Sequence, residues 1–148
     1  MASAPEFQHT LGKSAGFSGT SLHTGEKVTL KLHAAPADHG IKFRRKDLQE
    51  EPTIDARIEN LKTVERATTI GEGSVRVHTV EHVLSALAAM GVDNAIVEMD
   101  ANEPPIGDGS AQPYVTSLRR PESSPRKRPA ASSKCASRCT SKRRTAPC

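Results

Sequence analysis

Glu81 and His82 are adjacent and of types that can work together chemically. An imidazole can ligate zinc, and a neighbouring carboxylate can take a proton from water that the metal has acidified. On a helix, sequence neighbours diverge by about 100°, so the two side chains need not compete for one coordination position. The pair also has a purely structural reading, a helix start whose glutamate favours the positive end of the dipole. The zincin pattern H-E-x-x-H is absent. Spacing alone leaves both readings open.

Other residues carry weaker signals. His23, in the tight stretch Leu22-His23-Thr24-Gly25, can either touch a substrate or fix its turn through a hydrogen bond. Asp108-Gly109-Ser110 resembles an Asx-turn leading into a helix. Glu103-Pro104-Pro105 lies in the loop before it, and nothing local assigns it a role. Lys42, Arg44, Arg45 and Lys46 form a basic cluster that reads as solvated, because no aromatic residues interleave to stack on nucleic-acid bases.

The elements that must position these residues follow from hydrophobic periodicity. Lys27 to His33 alternates as a half-buried strand, with Val28, Leu30 and Leu32 on one face. Ser18 to Gly25 reads as polar and turn-rich, and Pro36 to Gly40 turns the chain before Ile41-Lys42-Phe43-Arg44 resumes alternation. Ile54, Ala56 and Ile58 predict a weaker strand. Ala67 to Ile70 and Ser74 to His78 flank Gly71-Glu72-Gly73 as a hairpin. Asn94 to Asp100 is a further strand, and Ala111 to Leu118 a short helix capped by Asp108 or Ser110.

The clearest helix runs from Thr79 to Met90, with Thr79 as its cap and Gly91 as the left-handed residue that ends it. Val80, Val83, Leu84, Leu87 and Met90 form its apolar arc. The opposite side carries Glu81, His82, Ser85 and Ala89 rather than the long charged residues of an exposed face. Small residues permit close approach, so a second covering layer is expected there, with Glu81 and His82 at its edge.

Composition bounds the rest. The 148 residues fit one domain, and with no Trp, one Tyr and three Phe the core must be aliphatic. The net charge of +4 is unevenly distributed: residues 1–120 carry 13 Lys+Arg against 16 Asp+Glu, and residues 121–148 carry 8 against 1. All three cysteines, Cys135, Cys139 and Cys148, lie in that second segment, which excludes a disulfide scaffold for the body. Cys135-x-x-x-Cys139 has no further ligands at a sensible spacing for zinc. Residues 121–148 contain no Val, Ile, Leu, Met, Phe, Tyr or Gly, and such a segment cannot offset its ordering entropy. It reads as a disordered basic tail. The compositional break after Leu118 suggests an out-of-frame C-terminus. With no apolar run near the roughly 20 residues of a membrane span and no apolar leader in Met1 to Gln8, the expectation is a soluble cytoplasmic domain.

Five ordered segments together resemble one family: Ser21-Leu22-His23-Thr24-Gly25; Pro36-Ala37 with Gly40-Ile41-Lys42-Phe43-Arg44; Thr79-Val80-Glu81-His82; Asp93-Asn94; and Glu103-Pro104-Pro105-Ile106-Gly107-Asp108-Gly109-Ser110-Ala111. Their order and spacing resemble the N-terminal half of UDP-3-O-acyl-N-acetylglucosamine deacetylase, a zinc amidohydrolase of lipid A synthesis, over about residues 7–118. Ser21 departs from the glycine usual before the Leu-His pair.

The resemblance implies an α+β fold, a small sheet with helices packed on one face. This is the first of two similar domains whose helices meet around a catalytic zinc. It makes residues 1–120 that first domain and 121–148 the appended tail. It implies His82 as a zinc ligand and Glu81 as general base. The other two ligands are expected from a His-Lys-x-x-Asp helix of the second domain, with a further histidine there assisting the leaving group. No His-Lys pair occurs in this sequence, so this chain by itself is expected to be inactive. The implied partner is a UDP-sugar lipid, with no nucleic acid and at most peripheral membrane contact. In some bacteria the deacetylase is fused to a dehydratase. The rival reading is a non-enzymatic domain whose basic tail binds nucleic acid or anionic membrane.

Overall fold

A computed structural model describes residues 7–119 and 128–129. In chain order the strands and helices are β1 (Phe7–Gln8), β2 (Ala15–Thr20), β3 (Lys27–Ala34), β4 (Ile41–Arg45), β5 (Thr53–Asp55), β6 (Leu61–Thr63), β7 (Thr69–Glu72), β8 (Val75–Val77), α1 (Glu81–Ala89), β9 (Ala95–Met99), α2 (Gln112–Arg119) and β10 (Arg128–Pro129). A single 3-10 turn, Ile58–Asn60, precedes β6. The tail expectation lies outside the described residues, apart from Arg128–Pro129, which pair antiparallel with Phe7–Gln8.

The main sheet has the order β2-β3-β9-β4-β5. All its neighbours are antiparallel except β4 and β9, which run parallel. A second sheet, β6-β7-β8, is antiparallel. The alternation in β3 and β9 sends Val28, Leu30, Leu32, Ala95, Val97 and Met99 to one face, where they are buried. Phe43 and Ile54 extend that face across the parallel pair. Val83, Ala86 and Leu87 of α1 and Tyr114 and Leu118 of α2 cover it, joined by Ile70, Val77 and Val80. The architecture is the expected α+β arrangement, and the core is mainly aliphatic, as the composition requires, with Phe43 and Tyr114 buried in it. Each fully buried Val, Leu or Phe stabilises by about 1.5–3 kcal/mol.

Several local expectations are corrected. Ser18 to Thr20, read as turn, belong to β2. Phe17 is the strand's single large apolar side chain, so the strand is set by its pairing with β3, Phe17 opposite Leu30. Edge-to-face packing of Phe17 on Tyr114, with ring centroids 5.0 Å apart, anchors it to α2. The strand expected through Ile58 stops at Asp55, and Ile58 is exposed in the 3-10 turn. The hairpin turn is Gly73-Ser74, one position later than Gly71-Glu72-Gly73 suggests; Gly71 lies within β7, packed too closely on Arg76 for a side chain. Ala86, on the flank of the small-residue face, is fully buried, whereas Ser85 and Ala89 are exposed.

The end of α1 follows expectation closely. The Gly91 N–H donates to the Ala88 carbonyl and the Val92 N–H to that of Leu87, a Schellman motif. Gly91 has φ +65°, and nothing lies within 4 Å of where its Cβ would be. Gly91→Ala therefore introduces backbone strain without a steric clash. A loss of about 1 kcal/mol in unfolding free energy is expected by chemical denaturation; an unchanged midpoint would contradict the motif's role.

Candidate functional site

Three segments meet at the start of α1: the chain leaving β8, the loop 21–26 and the loop 101–110. The His78 N–H donates to the Asn102 carbonyl at 2.9 Å, fixing the first against the third. Thr79 was expected to cap α1, but it does not. Its φ is +55°, its hydroxyl points away to Glu103, and the N-cap position falls to Val80, which makes no side-chain cap. The Val80 N–H instead donates to the Thr68 carbonyl.

Glu103 is 1% exposed and stands at the centre of this meeting point. Its Oε1 accepts from the Thr79 hydroxyl at 2.6 Å and pairs with His23 Nδ1 at 2.7 Å; its Oε2 accepts the His23 N–H at 2.9 Å. Burial pushes the carboxyl pKa up. The Thr79 and His23 hydrogen bonds outweigh it and hold the group below its ordinary value. A carboxylate so depressed adds stability that is present above the unfolded-state pKa of about 4.3 and is lost as pH falls through the lower folded value. Asp47 and Asp108 are depressed as well, so the contribution of Glu103 is read as a difference. Between pH 7 and pH 3, Glu103→Gln should lose less stability than the parent protein. Parallel acid limbs in urea titrations of the two would refute it.

The Ser21 departure leaves the neighbouring loop well formed. The Ser21 N–H donates to the Glu26 carbonyl and its Oγ accepts the Glu26 N–H, closing the loop. Its backbone is not in the left-handed region, so glycine is not required.

Glu81 and His82 lie in the first turn of α1, both half-buried. Glu81 Oε2 accepts the Thr68 N–H at 3.0 Å, which ties the carboxylate to the residue just before β7. Asp108 is held below the ordinary carboxylate range mainly by the Ser110 hydroxyl and N–H, and the nearby His82 adds a smaller pull in the same direction. Asp108 thus shares an electrostatic neighbourhood with His82. It also lines one end of an open groove of about 580 Å³ between β2 and α2, with Gly16, Phe17, Pro113 and Thr116. Ser110 completes the expected cap of α2, its Oγ accepting the Gln112 N–H.

The donor set fits a metal only in part. The backbone carbonyl of His82 accepts from Ser85 Oγ at 3.1 Å, while its imidazole has no hydrogen-bond partner among the described residues, so the ring is available as a ligand. Among the described residues, no three of His, Cys, Asp and Glu come close enough to hold one ion. The chain therefore offers one imidazole and an adjacent carboxylate.

The fold sets Glu81 and His82 side by side in the first turn of α1 and joins His23 to Glu103 beside Thr79, just before that turn. The basic cluster is not assembled. Lys42 pairs with Asp55, Arg44 with Glu98 and Lys46 with Glu51. Arg45, expected to be solvated, is buried, donating to Asp47 and to the Arg76 carbonyl and so joining the two sheets. Thr79 and Glu103 escape sequence reasoning because their partners lie 24 and 80 residues away.

The family model for LpxC, UDP-3-O-acyl N-acetylglycosamine deacetylase, matches residues 8–146. The chain belongs to this family. Curated relatives bear it out. The UDP-3-O-acyl-N-acetylglucosamine deacetylase of Teredinibacter turnerae is 52% identical over 108 residues, 73% of this chain and 36% of the relative. That of a Geobacter species is 46% identical over 114 residues, 77% and 37% respectively. That of Methylococcus capsulatus is 52% identical over 108 residues, 73% and 36%. The chain thus spans little more than a third of the length of these relatives. No helix among the described residues is long and apolar enough to cross a membrane, which says nothing of β-barrels.

Proposed function

We propose that residues 1–120 form the first domain of a zinc-dependent deacetylase. It removes the N-acetyl group of UDP-3-O-acyl-N-acetylglucosamine, giving the free amine and acetate in the cytoplasm. The observation that carries this reading is the placement of Glu81 and His82 in the first turn of α1, within a chain of this family. His82 would supply one metal ligand. Two more would come from a second domain of the kind that the relatives' greater length can accommodate. Zn2+, when bound, supplies a Lewis acid that acidifies water and polarises the acetamide carbonyl. The chain's own contribution is proton handling and orientation. Glu81 has Oε2 committed to the Thr68 N–H, which leaves Oε1 to take the proton of the attacking water. The proton needed by the departing nitrogen would come from the further histidine of the second domain. The exposed Ser85 and Ala89 form the small-residue surface on which the second domain would close.

This reading is tested by joining the chain in frame to the second domain of the Teredinibacter turnerae relative and measuring bound zinc and acetate release. One imidazole is far short of the three protein ligands of a catalytic zinc, so the chain by itself should hold zinc weakly and turn over nothing. The joined protein should hold zinc tightly and release acetate, and His82→Ala should strip its metal. Full zinc and full rate in His82→Ala would overturn the assignment.

A further inference from the structure

The network around Glu103 is more extensive than a turn requires. A buried carboxylate is costly unless it is fully paired, and this one receives three donors from two distant segments. One of them is Thr79, a β-branched residue at φ +55°. That conformation is strained and persists only where its surroundings over-determine it. Thr79 lies two residues before Glu81 and three before His82. Its strained backbone sets the direction from which α1 begins.

The second donor is His23. Its Nδ1 faces a carboxylate oxygen that also accepts from Thr79, so Nδ1 must carry the proton. The ring is about half exposed, whereas Glu103 is 1% exposed. With Nδ1 committed, Nε2 alone remains for a further partner. We infer that Glu103 is a positioning residue: its buried carboxylate fixes His23 as the Nδ1–H form and holds the Thr79 turn from which Glu81 and His82 project. The inference rests on the proposed function only in taking Glu81 and His82 as the working pair.

The test uses the full chain with 15N-labelled histidine and does not depend on turnover. Imidazole NMR at neutral pH should show the neutral form of His23 as the Nδ1–H tautomer. In Glu103→Gln the amide oxygen is required by the His23 N–H, which can only donate, so the amide –NH2 faces Thr79 Oγ1 and His23 Nδ1 and the Nδ1–H preference should be lost. Thr79→Val removes the hydroxyl while keeping the branched shape. It should shift the backbone amide signals of Glu81 and His82 and speed amide exchange in the first turn of α1, and Thr79→Ser should restore them. A carboxylate that merely filled space would leave the tautomer unmoved. Should Glu103→Gln fail to fold, the parent's tautomer and the Val and Ser pair decide the matter. An Nε2–H tautomer in the parent, an unchanged tautomer in a folded Glu103→Gln, or unmoved Glu81 and His82 amides in Thr79→Val would each overturn the inference. Failure of the joined protein to bind zinc or release acetate, with these signals as expected, would count against the proposed function alone.

Discussion

Replacing Glu81 by Ala in the chain joined to a second domain should lower the deacetylation rate about 10²–10⁴-fold while leaving zinc bound, the scale of a lost general base. The expectation follows from the division of labour at the start of α1. The imidazole of His82 is available as a ligand, and the Glu81 carboxylate is anchored by one oxygen to the Thr68 N–H. Removing the carboxylate takes away the proton acceptor and leaves the ligand in place. It also frees the Thr68 N–H, a partly buried donor, so a modest fall in stability should accompany the loss of rate. Glu81→Gln separates the two effects. Its side-chain oxygen can still accept from Thr68, but the neutral amide cannot act as a base. The rate should therefore fall as far in Glu81→Gln as in Glu81→Ala, with stability preserved. Metal content and acetate release measured on both variants check it. A Glu81→Gln protein of near-parental rate would remove Glu81 from the chemistry.

The second large effect is expected in the core. Phe43 is fully buried on β4, between the parallel neighbour β9 and the edge strand β5. It stands opposite Val97 on one side and Ile54 on the other. Phe43→Ala removes a fully buried aromatic side chain from the middle of that face and leaves a cavity that backbone hydrogen bonding on both sides prevents from collapsing. The unfolding free energy should drop by about 3–5 kcal/mol, a large fraction of the roughly 5–15 kcal/mol typical of a domain. The urea midpoint of the full chain reads this directly, and a loss below about 1 kcal/mol would show that the site repacks. Phe43→Leu, closer in volume, should recover most of the loss.

Much of the fold was legible because its signal is local. β3 and β9 announce themselves by alternation over five or more residues, and burial in the structure follows that alternation residue by residue. The end of α1 was legible for a similar reason: Gly91 is the residue type that tolerates φ +65°. The Glu81-His82 pair could be singled out by type and adjacency, and the ordered motifs around it pointed to the family. The basic cluster misled because charge along a strand says nothing about burial. Arg45 falls on the inward face of β4, where Asp47 and the Arg76 carbonyl satisfy it.

What tertiary structure alone decided lies at the start of α1. Thr79 has the right type and position for a cap, and local propensity assigns it that role. A buried carboxylate 24 residues later competes for the same hydroxyl and wins it, because an unpaired charge in the core costs more than an uncapped helix end, which loses about 1 kcal/mol. His23 and Glu103 carry no mutual signal across 80 residues of chain, and β2 becomes a strand through its partner's edge rather than through its own polar and small residues. Sequence periodicity determined which residues face the core and which pair could do chemistry. The orientation of that pair was left to contacts between segments distant in the chain, since hydrogen-bond geometry at a buried carboxylate exists only once those segments have come together.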